Sequence, residues 1–158
     1  MFIVPLSGDK IETTTGAEYT ALSYTNYQHA PAIYVQASGA EASALSFNDI
    51  AKIGGMTVKK LSGGVFEAPS KIAGRAPLPQ KDDKVTLGQG AVKVLMLKLN
   101  EKGQLADGML VVGTDMATGQ KVTERLSNLV SIERANGDKD FDLKSFRKLY
   151  RDYLGAAE

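Results

Sequence analysis

Cysteine and tryptophan are both missing from this chain of 158 residues, and histidine occurs once, at His29. Without cysteine the chain forms no disulfide bond and offers no thiolate ligand to zinc or to an iron–sulfur cluster. A single histidine likewise excludes a metal site built from several imidazoles. The composition leaves open only a Mg²⁺ or Ca²⁺ site made from carboxylates, and we expect no cofactor or metal.

Long hydrophobic runs are also missing. The longest apolar stretch, Ala91 to Leu99, is interrupted by Lys93 and Lys98, whereas a membrane-spanning helix needs about 18 or more apolar residues. The first six residues are apolar, but no basic segment precedes them and no sustained apolar run follows, so they do not resemble a signal peptide. We therefore expect a cytoplasmic protein that does not associate with a membrane.

Common catalytic motifs are absent as well. The sequence contains no Gly-Lys-Ser or Gly-Lys-Thr phosphate loop and no Gly-x-Ser-x-Gly elbow, and Gly88-Gln89-Gly90 is too short for a dinucleotide fingerprint. Asp138, Asp140 and Asp142 imitate the start of a calcium loop, but Leu149 occupies the position of the closing acidic residue. We expect a protein that is not an enzyme.

Charge is distributed unevenly along the chain, although the net charge is only +1. Residues 1–50 contain one basic and five acidic residues, whereas residues 51–102 contain ten basic and four acidic residues. Segregation along the chain can become a two-faced surface after folding, and a basic face attracts polyanions. The alternative is that folding mixes these charges and leaves no patch.

The pattern of apolar, β-branched and turn-forming residues predicts mostly strands. We predict a single domain over residues 1–158 of the α+β class, β-rich, with a rolled or barrel-like, mostly antiparallel sheet. No internal repeat is evident. The predicted strands cover Phe2–Leu6, Glu18–Tyr24, Ala32–Ala37, Met56–Leu61, Val65–Ala68, Ala91–Asn100, Met109–Gly113 and one or two segments within 121–133. A short helix is predicted over Ser46–Ile53, and residues 69–84 are predicted to form a proline-containing arm, either ordered or mobile.

The clearest predicted helix covers residues 141–154, with an aspartate at its start and Gly155 at its end. Its apolar residues cluster on one side. Four cations form a stripe on the opposite side, namely Lys144, Arg147, Lys148 and Arg151. Three interpretations stay open: a solvated surface, a contact with a polyanion such as nucleic acid, and a docking helix for a protein partner.

Candidate binding residues follow from these basic and aromatic positions. Tyrosines in polar surroundings can stack on unpaired bases, and flexible basic segments suit the phosphates of a single strand. The alternative for each tyrosine is a ring packed in the core with its hydroxyl exposed. The candidate phosphate contacts are Lys59, Lys60, Arg75, Lys81, Lys84, Lys144, Arg147, Lys148 and Arg151, and the candidate stacking residues are Tyr24, Tyr27 and Tyr150.

Three stretches carry a resemblance to a known family: Phe47-Asn48-Asp49-Ile50 through Phe66, Pro77-Leu78-Pro79-Gln80, and Phe141 through Gly155. With the basic middle and the basic C-terminal helix, the chain resembles the single-stranded-DNA-binding RNA polymerase cofactors of N4-like bacteriophages. The resemblance covers less than half of the chain. It implies a non-enzymatic role in the host bacterial cytoplasm, in which the protein holds single-stranded template and recruits the phage RNA polymerase to it.

Two other functions remain as alternatives to single-strand binding. A viral structural or host-interaction protein that forms a homo-oligomer without binding nucleic acid would also fit the proline-containing arm and the opposite charges of the two halves. An enzyme would need carboxylates that only the fold brings together around a divalent ion.

Overall fold

The computed structural model describes residues 1–27, 30–88, 90–99 and 108–154. Within these ranges the chain forms three β-sheets and one α-helix, which lies near the C-terminus. All strand pairs in them are antiparallel. The predicted β-rich α+β fold is confirmed, although none of the three sheets closes into a barrel.

The strands of the described residues are numbered in chain order. They are β1 (Phe2–Ile3), β2 (Lys10–Thr13), β3 (Glu18–Tyr27), β4 (Ala30–Gln36), β5 (Ser43–Ser46), β6 (Ile50–Ile53), β7 (Met56–Thr57), β8 (Lys59–Ser62), β9 (Val65–Glu67), β10 (Lys84–Leu87), β11 (Gly90–Leu99), β12 (Met109–Asp115), β13 (Lys121–Arg125) and β14 (Leu129–Glu133). The helix is α1 (Leu143–Leu149), and 3₁₀ helices span Phe47–Asp49, Leu126–Asn128 and Arg151–Tyr153.

Two of the sheets share one topology, and we call them the first unit (β2 to β6) and the second unit (β10 to β14). The strand order is β5-β4-β3-β2-β6 in the first unit, where β7 extends the edge, and β13-β12-β11-β10-β14 in the second. In each unit four strands form a meander, a 3₁₀ helix follows, and the fifth strand returns to pair with the first. The chain therefore contains an internal structural repeat.

The two units also share their register. Ile11 of β2 lies opposite Ile53 of β6, as Val85 of β10 lies opposite Ile132 of β14. A β-bulge interrupts the pairing of β2 with β6 and that of β10 with β14. In both cases it lies between the third and fourth residues of the unit's first strand, β2 or β10. The second and third strands of each unit also pair with one bulge. Corresponding positions in the two units can therefore be compared residue by residue.

The same aspartate-capped turn leads into each unit. The Asp9 carboxylate accepts a hydrogen bond from the Leu6 N–H, and the Asp83 carboxylate accepts one from the Gln80 N–H, both at 2.8 Å. The residue before each aspartate has a positive φ, 91° at Gly8 and 72° at Asp82. Aspartate is among the few residues that tolerate this conformation, so the second turn keeps the shape of the first without a glycine.

A buried arginine pairs with Asp83. The Arg134 guanidinium donates to the Asp83 carboxylate at 3.0 Å, to Asp140 at 2.9 Å, and to the carbonyls of Leu78 and Pro77 at 2.8 and 2.6 Å. Its side chain is only 5% exposed. Because charged groups are costly to bury unless they are paired and hydrogen-bonded, this network joins the end of the second unit to the segment that precedes it.

The three-stranded sheet, in the order β1-β9-β8, lies between the two hydrophobic cores. Phe2 and Val65 belong to the core of the second unit, whereas the next residues, Ile3 and Phe66, belong to the core of the first. Successive side chains of a strand point to opposite faces. Both faces of this small sheet are therefore covered, one by each unit.

The prediction of a helix over Ser46–Ile53 is wrong. Only Phe47–Asp49 is helical, as a 3₁₀ turn, and Ile50–Ile53 forms β6. Ser46 does cap the turn as expected, since its hydroxyl accepts a hydrogen bond from the Asn48 N–H at 3.2 Å. The isoleucines that suggested a helical stripe are instead buried by pairing β6 with β2.

The predicted C-terminal helix is present in part. The α-helix covers Leu143–Leu149 and is followed by the 3₁₀ helix Arg151–Tyr153, so the segment is shorter and less regular than residues 141–154. Asp142 caps it by accepting a hydrogen bond from the Ser145 N–H at 3.0 Å. Gly155 lies outside the described residues.

The segment predicted as an arm, residues 69–84, contains no helix or strand before β10 begins at Lys84. Its middle is nevertheless packed, because Leu78 is only 1% exposed and belongs to the core of the second unit. The Gln80 side chain donates to the Phe2 carbonyl and accepts from the Phe2 N–H, which ties the segment to β1.

Candidate nucleic-acid interface

The four cations of the C-terminal segment are exposed to solvent, as their spacing predicts. Phe146 faces the core at 2% exposure. None of the four cations has an ion-pair partner among the residues that the structure describes. These cations are Lys144, Arg147, Lys148 and Arg151. They are therefore available to bind an anion, and we call them the helix cations.

Arg75 has a different role from the predicted one. Its guanidinium forms a bidentate pair with the Asp9 carboxylate, with N–O distances of 2.5 and 3.0 Å, and its side chain is 15% exposed. Two parallel charge-assisted hydrogen bonds fix both groups. Arg75 therefore stabilises the turn before the first unit, and the prediction that it contacts phosphate is not supported.

One candidate stacking tyrosine, Tyr150, is a core residue, and a second, Tyr24, is partly buried against the core. Tyr150 is 2% exposed, and its hydroxyl donates to the Ala76 carbonyl at 2.7 Å. The Tyr24 ring packs 4.9 Å from the Tyr153 ring and 6.1 Å from that of Phe47. Tyr150 therefore presents no free ring to a base, and the half-buried Tyr24 ring already packs against two other aromatic rings. The side chain of Tyr27 lies outside the described part of the chain.

The burial of Tyr24 gives a pH-dependent prediction. Burial raises the pKa of its hydroxyl from the ordinary 10 to about 12. Between pH 10 and about pH 12, the Tyr24 hydroxyl loses its proton in the unfolded chain but keeps it in the folded chain. The free energy of unfolding therefore falls as the pH rises through this range. We expect chemical denaturation across this range to show a shallower decline for Tyr24→Phe than for the native protein. An identical decline would mean that burial does not raise the pKa of the Tyr24 hydroxyl.

The remaining predicted cations lie on separate elements. Lys59 and Lys60 are on β8, Lys81 is in the turn before the second unit, and Lys84 begins β10. Lys84 lies 3.9 Å from Glu133, a long and exposed contact. Such surface pairs contribute little to stability and are easily exchanged. Of these four residues, only Lys84 belongs to the cluster described next.

A row of polar and basic side chains crosses the second unit. Lys93 on β11 lies opposite Lys84 on β10 and opposite Thr114 on β12, which in turn lies opposite Lys121 on β13. Directly opposed residues in a sheet point to the same face, and the strands are about 4.8 Å apart. Three lysines therefore share one exposed face of the second unit, with Glu133 at the β14 end of the row.

A bulge in β11 adds a second row to this face. Strict alternation would place Lys93 and Lys98 on opposite faces, and the sequence pattern predicts Met96 on the apolar face together with Val92 and Val94. The ladder with β12 instead shifts between Val94 and Met96, so Met96 and Lys98 are exposed with Lys93. Lys98 then lies opposite Leu110, which lies opposite Arg125 of β13.

Together these cations form the basic sheet face, which sequence reasoning did not find. On this face, the described strands β10 to β13 carry no carboxylate. The first unit provides the comparison, because Thr20, Thr25 and Ser46 occupy the positions of Lys93, Lys98 and Arg125. The basic sheet face comprises Lys84, Lys93, Lys98, Lys121 and Arg125.

Other kinds of site find no support in the described ranges. No group of three or more acidic or histidine side chains there could hold a metal ion. A cleft of about 490 Å³ borders Arg134, Lys71, Lys81 and Asp138, but the Arg134 guanidinium already donates four hydrogen bonds to protein partners. In the same part of the chain, no helix has the length and apolar character that crossing a membrane requires.

Comparison with known proteins gives no further assignment of the site. No protein-family model, no curated protein and no solved structure matches this chain.

Proposed function

We propose that the protein is a non-enzymatic single-stranded DNA-binding protein that acts as a transcription cofactor and recruits a phage RNA polymerase to its template. The observation that carries the proposal is the set of helix cations, all exposed and without an ion-pair partner among the described residues. Unpaired cations gathered in one segment favour a polyanionic partner.

The first experiment measures fluorescence anisotropy of labelled single-stranded and duplex oligonucleotides at several salt concentrations. Each phosphate contact contributes about −0.7 to the slope of log K against log salt for a single strand. The variant Arg147→Ala/Lys148→Ala/Arg151→Ala should therefore flatten that slope by about 2. The matched control removes three exposed lysines elsewhere, as Lys10→Ala/Lys52→Ala/Lys71→Ala, and should leave the slope nearly unchanged.

The outcomes separate the alternatives. If the native protein does not bind at low salt, the proposal is overturned, and a large assembly seen by light scattering would then favour a structural role. Binding with an unchanged slope in the helix variant would remove the helix cations from the interface. Recruitment is tested separately, by asking whether a purified phage RNA polymerase is retained on single-stranded template only when the protein is present.

A further inference from the structure

We infer that the basic sheet face is the surface along which the single strand lies, with its phosphates on the cations and its bases over the apolar side chains between them. This inference rests on the proposed function and specifies the binding surface. Neither the helix cations nor the tyrosines of the sequence-based hypothesis belong to this face.

Charge is the first argument. The five cations of the basic sheet face lie on β10, β11 and β13, three of the four adjacent strands from β10 to β13, and no carboxylate shares that face of those described strands. Two lysines of this face contact acidic neighbours, Lys84 with Glu133 and Lys93 with Asp82, and both contacts are 3.9 Å long and exposed. Long exposed pairs are readily replaced by phosphate, because they contribute little free energy.

The second argument is the surface between the two rows. Leu95 and Met96 lie between Lys93 and Lys98 in the chain, and they are 41% and 39% exposed. Apolar side chains placed among cations suit a single strand, whose unpaired bases offer flat apolar surfaces. A duplex buries those surfaces in its own stack and presents phosphates, so it would leave Leu95 and Met96 without a partner.

The size of the face fits a short stretch of nucleic acid. Lys84 and Lys121 are three strand spacings apart in their row, which is about 14–15 Å at 4.7–4.9 Å per spacing. The row around Lys98 and Arg125 runs parallel to it on the same face. A few nucleotides can therefore contact both rows at once, and a longer strand would extend beyond the face.

The third argument comes from the internal repeat. The first unit builds the same sheet in the same register with Thr20, Ser23 and Thr25 where the second unit has Lys93, Met96 and Lys98. The fold therefore does not require cations or a methionine at these positions. On the corresponding face of the first unit, Lys10 and Lys52 are balanced by Glu12 and Glu18, so that face has no net charge. Of these two corresponding sheet faces, only that of the second unit carries an excess of positive charge.

The test replaces lysines of the second unit with the threonines found at the corresponding positions of the first unit. Lys93→Thr/Lys98→Thr removes two cations, and the matched control Lys10→Thr/Lys52→Thr removes two from the corresponding face of the first unit. We expect the first variant to weaken binding of a labelled single-stranded oligonucleotide at least tenfold at 0.1 M salt and to flatten the salt slope by about 1.4. The control should change the affinity less than threefold, and thermal unfolding should show that both variants remain folded.

A third variant separates base contact from phosphate contact. Met96→Ser installs the residue of the first unit and removes no charge, so we expect weaker single-strand binding with an unchanged salt slope. If Lys93→Thr/Lys98→Thr binds like its control while the helix variant binds weakly, the inference is overturned and the proposed function stands. If the native protein does not bind single strands at all, both fail.

Discussion

Replacing Arg134 with methionine is expected to lower the free energy of unfolding by about 3–5 kcal/mol, the usual effect of removing one partner from a buried ion pair. The Asp83 carboxylate is 4% exposed and would lose its buried cationic partner. The carbonyls of Leu78 and Pro77 would lose their donors at the same time. Methionine fills much of the same space, so the loss reports on charge and hydrogen bonding rather than on a cavity.

Arg75→Met is the matched variant, because Arg75 pairs with Asp9 in the corresponding turn of the first unit. The Arg75 side chain is 15% exposed, whereas that of Arg134 is 5% exposed. Among the described residues, the Arg75 guanidinium donates hydrogen bonds only to Asp9. We therefore expect a smaller loss of stability, measured for both variants by urea denaturation. An equal or larger loss of stability for Arg75→Met would contradict the expectation that the buried Arg134 network contributes more to stability than the Arg75–Asp9 pair.

Replacing Tyr153 with alanine is the second change with a large expected effect. The Tyr153 ring is 1% exposed, packs 4.9 Å from the Tyr24 ring, and its hydroxyl donates to the Pro5 carbonyl at 2.5 Å. Truncating a fully buried aromatic ring costs about 3–5 kcal/mol through lost packing and the cavity left behind. Urea denaturation, with the slope checked for two-state behaviour, measures the loss.

Tyr153→Phe separates the two contributions. It keeps the ring and removes only the donor to Pro5, so the expected loss is about 1–3 kcal/mol for one unsatisfied buried carbonyl. A loss as large as that of the alanine variant would show that the hydroxyl, rather than the ring, holds the C-terminal segment in place.

Much of the fold could be predicted from the sequence because most strands are locally distinct. The strands around Glu18–Tyr27, Gly90–Leu99 and Met109–Asp115 were found from their β-branched and apolar residues. The segment Ser46–Ile53 could not be assigned in the same way. Its apolar residues, three apart, satisfy a helical stripe as well as they satisfy a 3₁₀ turn followed by a buried strand, and only the pairing with β2 decides between them.

The repeat has a faint signal in the sequence that was missed. Residues 4–11, VPLSGDKI, correspond to residues 78–85, LPQKDDKV, and residues 47–53, FNDIAKI, correspond to residues 126–132, LSNLVSI. Within these stretches the aspartates that cap the turns are identical, as are the proline and the lysine around them. The core positions keep only their apolar character, since several apolar side chains can fill the same space.

The basic sheet face was not predictable for a different reason. Whether Lys93 and Lys98 share a face depends on one extra residue in β11, and a bulge of this kind is set by the partner strand rather than by local sequence. The surroundings of Tyr24 and Tyr150 could not be predicted, because a polar neighbourhood in the chain says little about the surroundings of a ring in the fold. Tyr24 lies in a polar segment and yet contacts Phe47 and Tyr153.

The small sheet between the two units has a consequence for cooperativity. Phe2 and Ile3 are neighbours in the chain, but each is buried by a different unit, and Val65 and Phe66 repeat this arrangement on β9. If either unit unfolded, one apolar face of β1 and β9 would be exposed to water. The core of the other unit includes the opposite face of the same strands, so it would be destabilised as well. We therefore expect the two copies of one topology to unfold together as one cooperative unit rather than as independent modules.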